Sequence, residues 1–317
     1  MIERCGIASA RAAAQLDDPD ESFQRRFNRA TFRFGHGLSG HALLSLSSLI
    51  DLGRRLAGQN AAYWSNGPVA VADGWDKGTD HPRTLTETLE AIAENNSLVI
   101  LKSVVHDPIT GPLMRAVSEA IVERVGPALR DDLTSARASI LIASPRRVTA
   151  YHIDADVNFL LQIQGDKLFR VYDQTDRRIT SIRELEAYFA GNESGAEFKP
   201  AFLDSSICHR LGPGLGAHVP SLAPHWAQNG DQVSVAISFN YDLRSIAALG
   251  QLYRINRRLR VFGLSPSAPS GGTADRLKLA TFQAVMASRR FGRPLAVQAD
   301  PTGWVPPRRT AVERKSR

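Results

Sequence analysis

The sequence predicts a mainly β protein, a sandwich or barrel with helices on its flanks. Three observations predict it. First, four strand candidates crowd the second half: ASILIAS (138–144), VTAYHIDADVNFLLQI (148–163), KLFRVYD (167–173) and QVSVAISFNYD (232–242). Gly-Asp, Asp-Gln and Asn-Gly-Asp turn signals separate them. Second, helical periodicity is confined to the segments on either side. Third, the strand 148–163 carries His152, Asp154, Asp156 and Asn158 at alternate positions. A pleat sends these four to one face and Val157, Phe159, Leu161 and Ile163 to the other.

Composition narrows the class. With 317 residues, 43% hydrophobic and 22% charged, the chain can bury a substantial core and is too polar for a membrane bundle. No run of about 18 apolar residues occurs. The start, MIERCGIASARAAAQLDD, has an early acid and no sustained apolar core, so a secretory signal is not expected and a cytoplasmic location is. Cys5 and Cys208 stand far apart and neither belongs to a CxxC pair, which argues against a disulfide framework or a thiolate zinc site. Of the net charge of +7, residues 251–317 hold +11, fourteen Lys or Arg against three acids, leaving −4 for residues 1–250. This basic end lacks finger spacing, a glycine-rich RNA motif or basic-aromatic alternation, so specific nucleic-acid binding is not expected.

In chain order, residues 1–20 read as frayed or loosely helical. RFGHGLSGH lacks the Lys-Ser/Thr of a phosphate loop and the GxGxxG spacing of a dinucleotide fold, and reads as a loop beside the barrel, with His36 and His41 structural in preference to substrate-adjacent. Leucines at helical spacing predict a helix over 45–58. Thr84 with Glu87 three residues on predicts a capping box starting the next helix. SLVILKSV reads as a strand and residues 110–125 as an amphipathic helix. After the first three strands of the second half, a short helix is expected within 185–190, then a loop-rich span through GPGLGAHVPSLAP. A helix follows Asp242, its Leu252, Ile255 and Leu259 face packing on the barrel or on a second copy. SPSAPSGG (265–272) is a linker by composition, before a terminal helix and a Pro- and Arg-rich tail. Three parts result: an N-terminal helical and loop region (1–95) packing on the barrel, a strand-rich core (96–245), and C-terminal helices with a basic tail (246–317).

The polar face poses the chemical question. Iron held for oxygen chemistry takes two histidines and one carboxylate, with positions left open. His152 and Asp154 can supply two of these ligands. His225, in PSLAPHWAQNGDQ before a long strand, and His218, seven residues earlier in GAHVP, compete to be the third; spacing alone does not choose.

Taken together, HID, the downstream asparagine, the lysine of GDK and the histidine of PHW resemble the JmjC-like, cupin-type Fe(II) and 2-oxoglutarate-dependent oxygenases, the asparaginyl-hydroxylase branch included. The resemblance implies a double-stranded β-helix, or jelly-roll, with His152, Asp154 and His225 as metal ligands. It also implies that Lys167 pairs with the distal carboxylate of 2-oxoglutarate, that Thr149 hydrogen-bonds the same carboxylate, and that Asn158 and Asn240 line that pocket. These seven matches span 149–240; the two ends of the chain are covered loosely. The loop GPGLGAHVPSLAPH before His225 departs from the family pattern. It leaves His218 as a substrate-pocket residue or a group behind the ligands, with Trp226, Phe32 and Phe34 as further candidates for a substrate wall. The implied reaction consumes dioxygen, decarboxylates 2-oxoglutarate to succinate, and hydroxylates or demethylates a small molecule or peptide. A homodimer through the C-terminal helices is also implied. The alternative from another class is a cupin-like protein that binds a metal or ligand without turnover.

Overall fold

Twelve strands are described in a computed structural model, which covers residues 14–57, 59, 61–74, 83–288 and 304. The expectations for residues 1–13 and for the tail beyond 305 lie outside these. The strands are β1 (Leu16–Asp17), β2 (Phe32–His36), β3 (Ala62–Ser65), β4 (Leu98–Leu101), β5 (Leu133–Ala143), β6 (Val148–His152), β7 (Val157–Gln164), β8 (Lys167–Val171), β9 (Ile207–Leu211), β10 (Leu215–Val219), β11 (His225–Asn229) and β12 (Ser234–Leu243).

They form an eight-stranded sheet, β1-β2-β10-β7-β12-β5-β4-β3, and a four-stranded sheet, β6-β11-β8-β9. Every ladder is antiparallel, and β5 pairs with β12, β6 with β11, β7 with β10, and β8 with β9. Residues 133–243 therefore behave as one long hairpin folded over itself, each strand of the first arm paired with its counterpart in the second. That is a double-stranded β-helix, as the resemblance implied. The first ninety-five residues are more than helix and loop, because β1, β2 and β3 extend the larger sheet at both edges.

Alternation on β7 sets the layers. Val157, Phe159, Leu161 and Ile163 face the main apolar core, shared with helices Leu46–Leu56 and Gly111–Val125. Leu160, on the opposite face, packs with Phe169, Val171 and Ala227 between the two sheets. Phe159 stacks on Phe23 at 5.3 Å between centroids and meets Phe32 and Phe34 edge-on. Phe159→Ala is expected to cost about 3–5 kcal/mol, the range for emptying such a site, read as a lower urea midpoint at unchanged slope.

Local signals held at several places. Thr84 and Glu87 form the capping box, although the helix is short, Leu85–Glu90. The expected helices near 185–190 and after Asp242 are Ile182–Phe189 and Arg244–Val261, and Leu252 and Tyr253 of the latter are buried. Phe189 and Tyr253 stack at 5.5 Å, joining the two helices. The terminal helix is Thr273–Ser288.

Two expectations fail. The strand 148–163 is two strands in two sheets, with residues 153–156 turning between them. RFGHG and the glycine-rich GLGAHVP, both read as loop, are β2 and β10. β10 is held from both sides, by β2 and by β7, so pairing overrides the composition. Gly216 fits there because a Cβ would meet the Phe34 ring at 2.4 Å. Among the described residues, no helix is long and apolar enough to cross a membrane.

Candidate metal centre

His152 ends β6 and His225 begins β11, and the two are directly opposed in the ladder. Their ring centroids lie 4.2 Å apart. Asp154, in the turn after β6, places Oδ2 3.6 Å from Nε2 of each ring. Ligand atoms of all three fall within 4.8 Å of one another, the one such group of histidine, cysteine or acid among the described residues.

The backbone fixes which nitrogens face inward. His152 Nδ1 lies 2.7 Å from the Ala150 carbonyl and His225 Nδ1 2.9 Å from that of Ala223. A carbonyl only accepts, so both Nδ1 atoms carry hydrogen and both Nε2 lone pairs point at the shared centre. The three groups are also electrostatically coupled to one another. Burial lowers the pKa of His152, but the Asp154 carboxylate more than offsets it and the net shift is upward. Burial, reinforced by His152, takes His225 down to about 4. Burial would push Asp154 up, yet His152 holds it below the usual carboxylate range. Two imidazole nitrogens and one ionised carboxylate suit a divalent first-row metal.

Thr149 stands three residues before His152, an odd offset that an unbroken strand would send to the opposite face. It nevertheless lines the same cavity, because the β6–β11 register shifts between His225 and Ala227. The extra residue is accommodated as Tyr151 N–H turns away to the Val71 carbonyl, at 2.9 Å. Such a bulge re-aims side chains beside a site.

The cavity holds about 330 Å³, and its wall includes all seven matched positions: Thr149, His152, Asp154, Asn158, Lys167, His225 and Asn240. Gly165, at φ +70, makes the tight turn that starts β8 at Lys167; a Cβ there would lie 2.6 Å from the Val233 carbonyl oxygen. Lys167 is 6% exposed. Among the described residues its ammonium has neither an acidic partner nor a hydrogen bond, and desolvation lowers its pKa to about 8. An unpaired buried ammonium in a cavity is costly without an anion to meet it.

The asparagines act differently from one another. Asn158 Nδ2 donates to Ser238 Oγ at 2.5 Å, and Ser238 donates to Asn240 Oδ1 at 2.8 Å. Asn240 Nδ2 donates to Asp156 Oδ1 at 2.9 Å, and Asp156 Oδ2 accepts from Arg137 at 2.7 Å. Asn240 has both ends of its amide engaged and buttresses the wall. Asp156, whose role was open in the sequence, anchors this chain; desolvation and Asp154 raise its pKa to about 7. Ser238 and Tyr188, also in the wall, carried no signal in the sequence. Tyr188 Oη accepts from Ala155 N–H at 2.9 Å, gripping the turn that bears Asp154.

Four candidates for a substrate wall are placed elsewhere. β2 pairs Phe32 with His218 and Phe34 with Gly216, so strand alternation puts both rings on the core side of the sheet. His218 is fully buried among Phe27, Phe32 and Phe159. Trp226 packs with Tyr151, Tyr172 and Leu222, on the opposite face of β11 from its neighbours His225 and Ala227, which line the cavity. His36 and His41 each accept a local backbone N–H, from Leu38 and Leu43.

The chain matches no protein-family model, and no curated protein is similar to it in sequence. Solved structures are similar in fold. An X-ray structure of E. coli YcfD aligns at TM-score 0.50 and 15% identity, over 87% of this chain and 70% of that one. A crystal structure described as the Escherichia coli ribosomal oxygenase YcfD aligns at 0.48 and 14%, over 87% and 69%. YcfD in complex with cobalt and 2-oxoglutarate aligns at 0.47 and 15%, over 88% and 69%. The first of these likenesses shows the fold, a JmjC- and cupin-like double-stranded β-helix with flanking helices.

Proposed function

We propose that this chain is an Fe(II)- and 2-oxoglutarate-dependent oxygenase that hydroxylates, or demethylates through hydroxylation, a substrate carbon. The observation that carries the reading is the pairing, on one cavity wall, of a two-histidine, one-carboxylate cluster with a buried, unpartnered lysine. The first suits a divalent metal and the second an anion. His152, Asp154 and His225 would hold the iron; Lys167 and Thr149 would take the distal carboxylate, and Asn158, through its remaining amide hydrogen, would contact the same molecule. When bound, the metal and 2-oxoglutarate supply the oxidising chemistry, dioxygen being consumed as 2-oxoglutarate becomes succinate and carbon dioxide.

The chain's own share is placement. The Nδ1–H bonds to Ala150 and Ala223 fix the orientation of both imidazoles and leave Nε2 as the nitrogen aimed inward. Leu160, Phe169, Ile153 and Ala227 give the cavity apolar wall that limits water around the reacting groups. We place the chain, within that proposal, in the asparaginyl-hydroxylase-like branch. We carry the three-part organisation, with a core from 96 to 245, as part of the same proposal.

Anaerobic titration of Fe(II)-loaded protein with 2-oxoglutarate tests it. A weak visible charge-transfer band is expected in the wild type and not in His225→Ala. A wild-type protein with confirmed metal occupancy and no band would sink the reading in favour of a cupin-like binding protein.

A further inference from the structure

The loop before His225, which departs from the family pattern in sequence, touches two of the three candidate ligands through its backbone. Leu222 N–H donates to the Asp154 carbonyl at 2.7 Å, and the Ala223 carbonyl accepts from His225 Nδ1 at 2.9 Å. Leu222 sits at φ 62, a conformation that a leucine adopts only when its surroundings impose it. Something must therefore hold Ser221 and Pro220 on the other side.

That support comes from the distant N-terminal segment. Asn28 Oδ1 accepts from Ser221 N–H at 2.8 Å, and Asn28's own N–H donates to His218 Nε2 at 3.0 Å. His218 Nδ1 donates in turn to the Asn158 carbonyl at 3.1 Å, which fixes the ring as the neutral Nδ1–H tautomer with Nε2 free to accept. Asn28 is itself left-handed, at φ 51, a conformation asparagine tolerates. A continuous path thus runs from a fully buried histidine through Asn28 and the 221–223 backbone to Asp154 and His225.

We infer that Asn28 and His218 form a positioning latch that sets the metal ligands Asp154 and His225 through the 221–223 loop. The inference rests on the metal reading above, but it assigns residues that touch neither metal nor substrate. Of the two roles left open for His218 by the sequence, this is the group behind the ligands and not the pocket wall: it terminates the latch. Burial supports this by keeping the ring neutral, its pKa lowered to about 3, so that Nε2 remains an acceptor.

The test is Co(II) titration of the full chain, followed by the dissociation constant and by the visible d–d absorption that reports ligand geometry. Asn28→Gly removes the acceptor at Ser221 while leaving the left-handed backbone unstrained. It is expected to weaken Co(II) binding about 10–100-fold, the usual cost of losing an orienting partner, and to alter the d–d bands. Asn28→Asp keeps an acceptor at the same reach and is expected to restore both within threefold, about 0.7 kcal/mol. A merely structural role for Asn28 would lower thermal stability and leave the spectrum of the folded protein unchanged. Should Asn28→Gly fail to fold, Asn28→Ser, too short to reach Ser221 N–H, replaces it. Folded Asn28→Gly or Asn28→Ser with wild-type affinity and spectrum overturns the latch. Wild-type protein that binds no Co(II) overturns the metal reading itself, so the two failures are distinguishable.

Discussion

If the proposed oxygenase reading holds, Asp154→Ala is expected to lower the conversion of 2-oxoglutarate to succinate by about 10³-fold or more, a barrier increase of about 4 kcal/mol. Asp154 contributes the single anionic donor of the cluster, its oxygen being equidistant at 3.6 Å from the two imidazole nitrogens. Removing it leaves two neutral ligands, too few to hold the cation in one geometry. The fold should survive, because the turn is held by groups other than this carboxylate. Leu222 N–H grips the Asp154 carbonyl, Tyr188 grips Ala155 N–H, and Arg137 with Asn240 grips Asp156. Succinate quantified by mass spectrometry, beside the urea midpoint of the metal-free protein, separates loss of chemistry from loss of structure. Turnover within tenfold of wild type would mean that Asp154 is not a ligand. Asp154→Glu should recover little, since the extra methylene displaces the oxygen from a position set by two fixed rings.

The polar face that drew attention to residues 152–158 is real, though it is built otherwise than a strand period suggests. Asp154 and Asp156 lie in a turn, and Asn158 faces the cavity from the sheet opposite His152. Alternation read the face of β7 well because Val157, Phe159, Leu161 and Ile163 all meet one continuous core. It could not reveal the bulge at Tyr151, which depends on an N–H finding the Val71 carbonyl eighty residues back in the chain. For β10, a glycine within it and prolines on either side signal a loop, and only pairing with β2 and β7 makes it a strand. Phe32, Phe34 and Trp226 were read as candidates for a substrate wall, and the sequence could not show which side of a sheet they occupy, since that is decided by register with strands far away in sequence. Ser238 and Arg137 gave no sign because serine and arginine on strands are ordinarily solvated; their polar partners come from two strands, β7 and β12, and a turn.

The opposite separation of effects is expected at Lys167. Lys167→Met should weaken 2-oxoglutarate about 100-fold or more, since truncating one partner of a buried charge pair costs about 2–5 kcal/mol. At the same time it should stabilise the unliganded protein. Desolvation lowers the lysine pKa from 10.5 to about 8, so below pH 8 the folded chain carries a charge that the unfolded chain solvates better. That penalty is about 3 kcal/mol by linkage. It shrinks as pH rises from 8 to 10.5, where the folded state has released its proton and the unfolded state still holds one, so wild-type stability rises across that window. Methionine, of similar length and apolar, removes the penalty altogether, and its advantage should be greatest below pH 8 and vanish above 10.5. Affinity runs the other way: only the ammonium form attracts a carboxylate, so wild-type binding should fall about tenfold per pH unit above 8, whereas Lys167→Met should show no such slope. Calorimetric titration between pH 7 and 9.5, with urea unfolding at the same pH values, measures both. A variant that binds 2-oxoglutarate as tightly as wild type would place the anion site elsewhere, and one less stable below pH 8 would mean that the lysine already has a counter-charge. Both outcomes together would give the position the signature of a residue kept for a ligand: unfavourable in the empty fold, because the charge it buries would have a use only when an anion arrives.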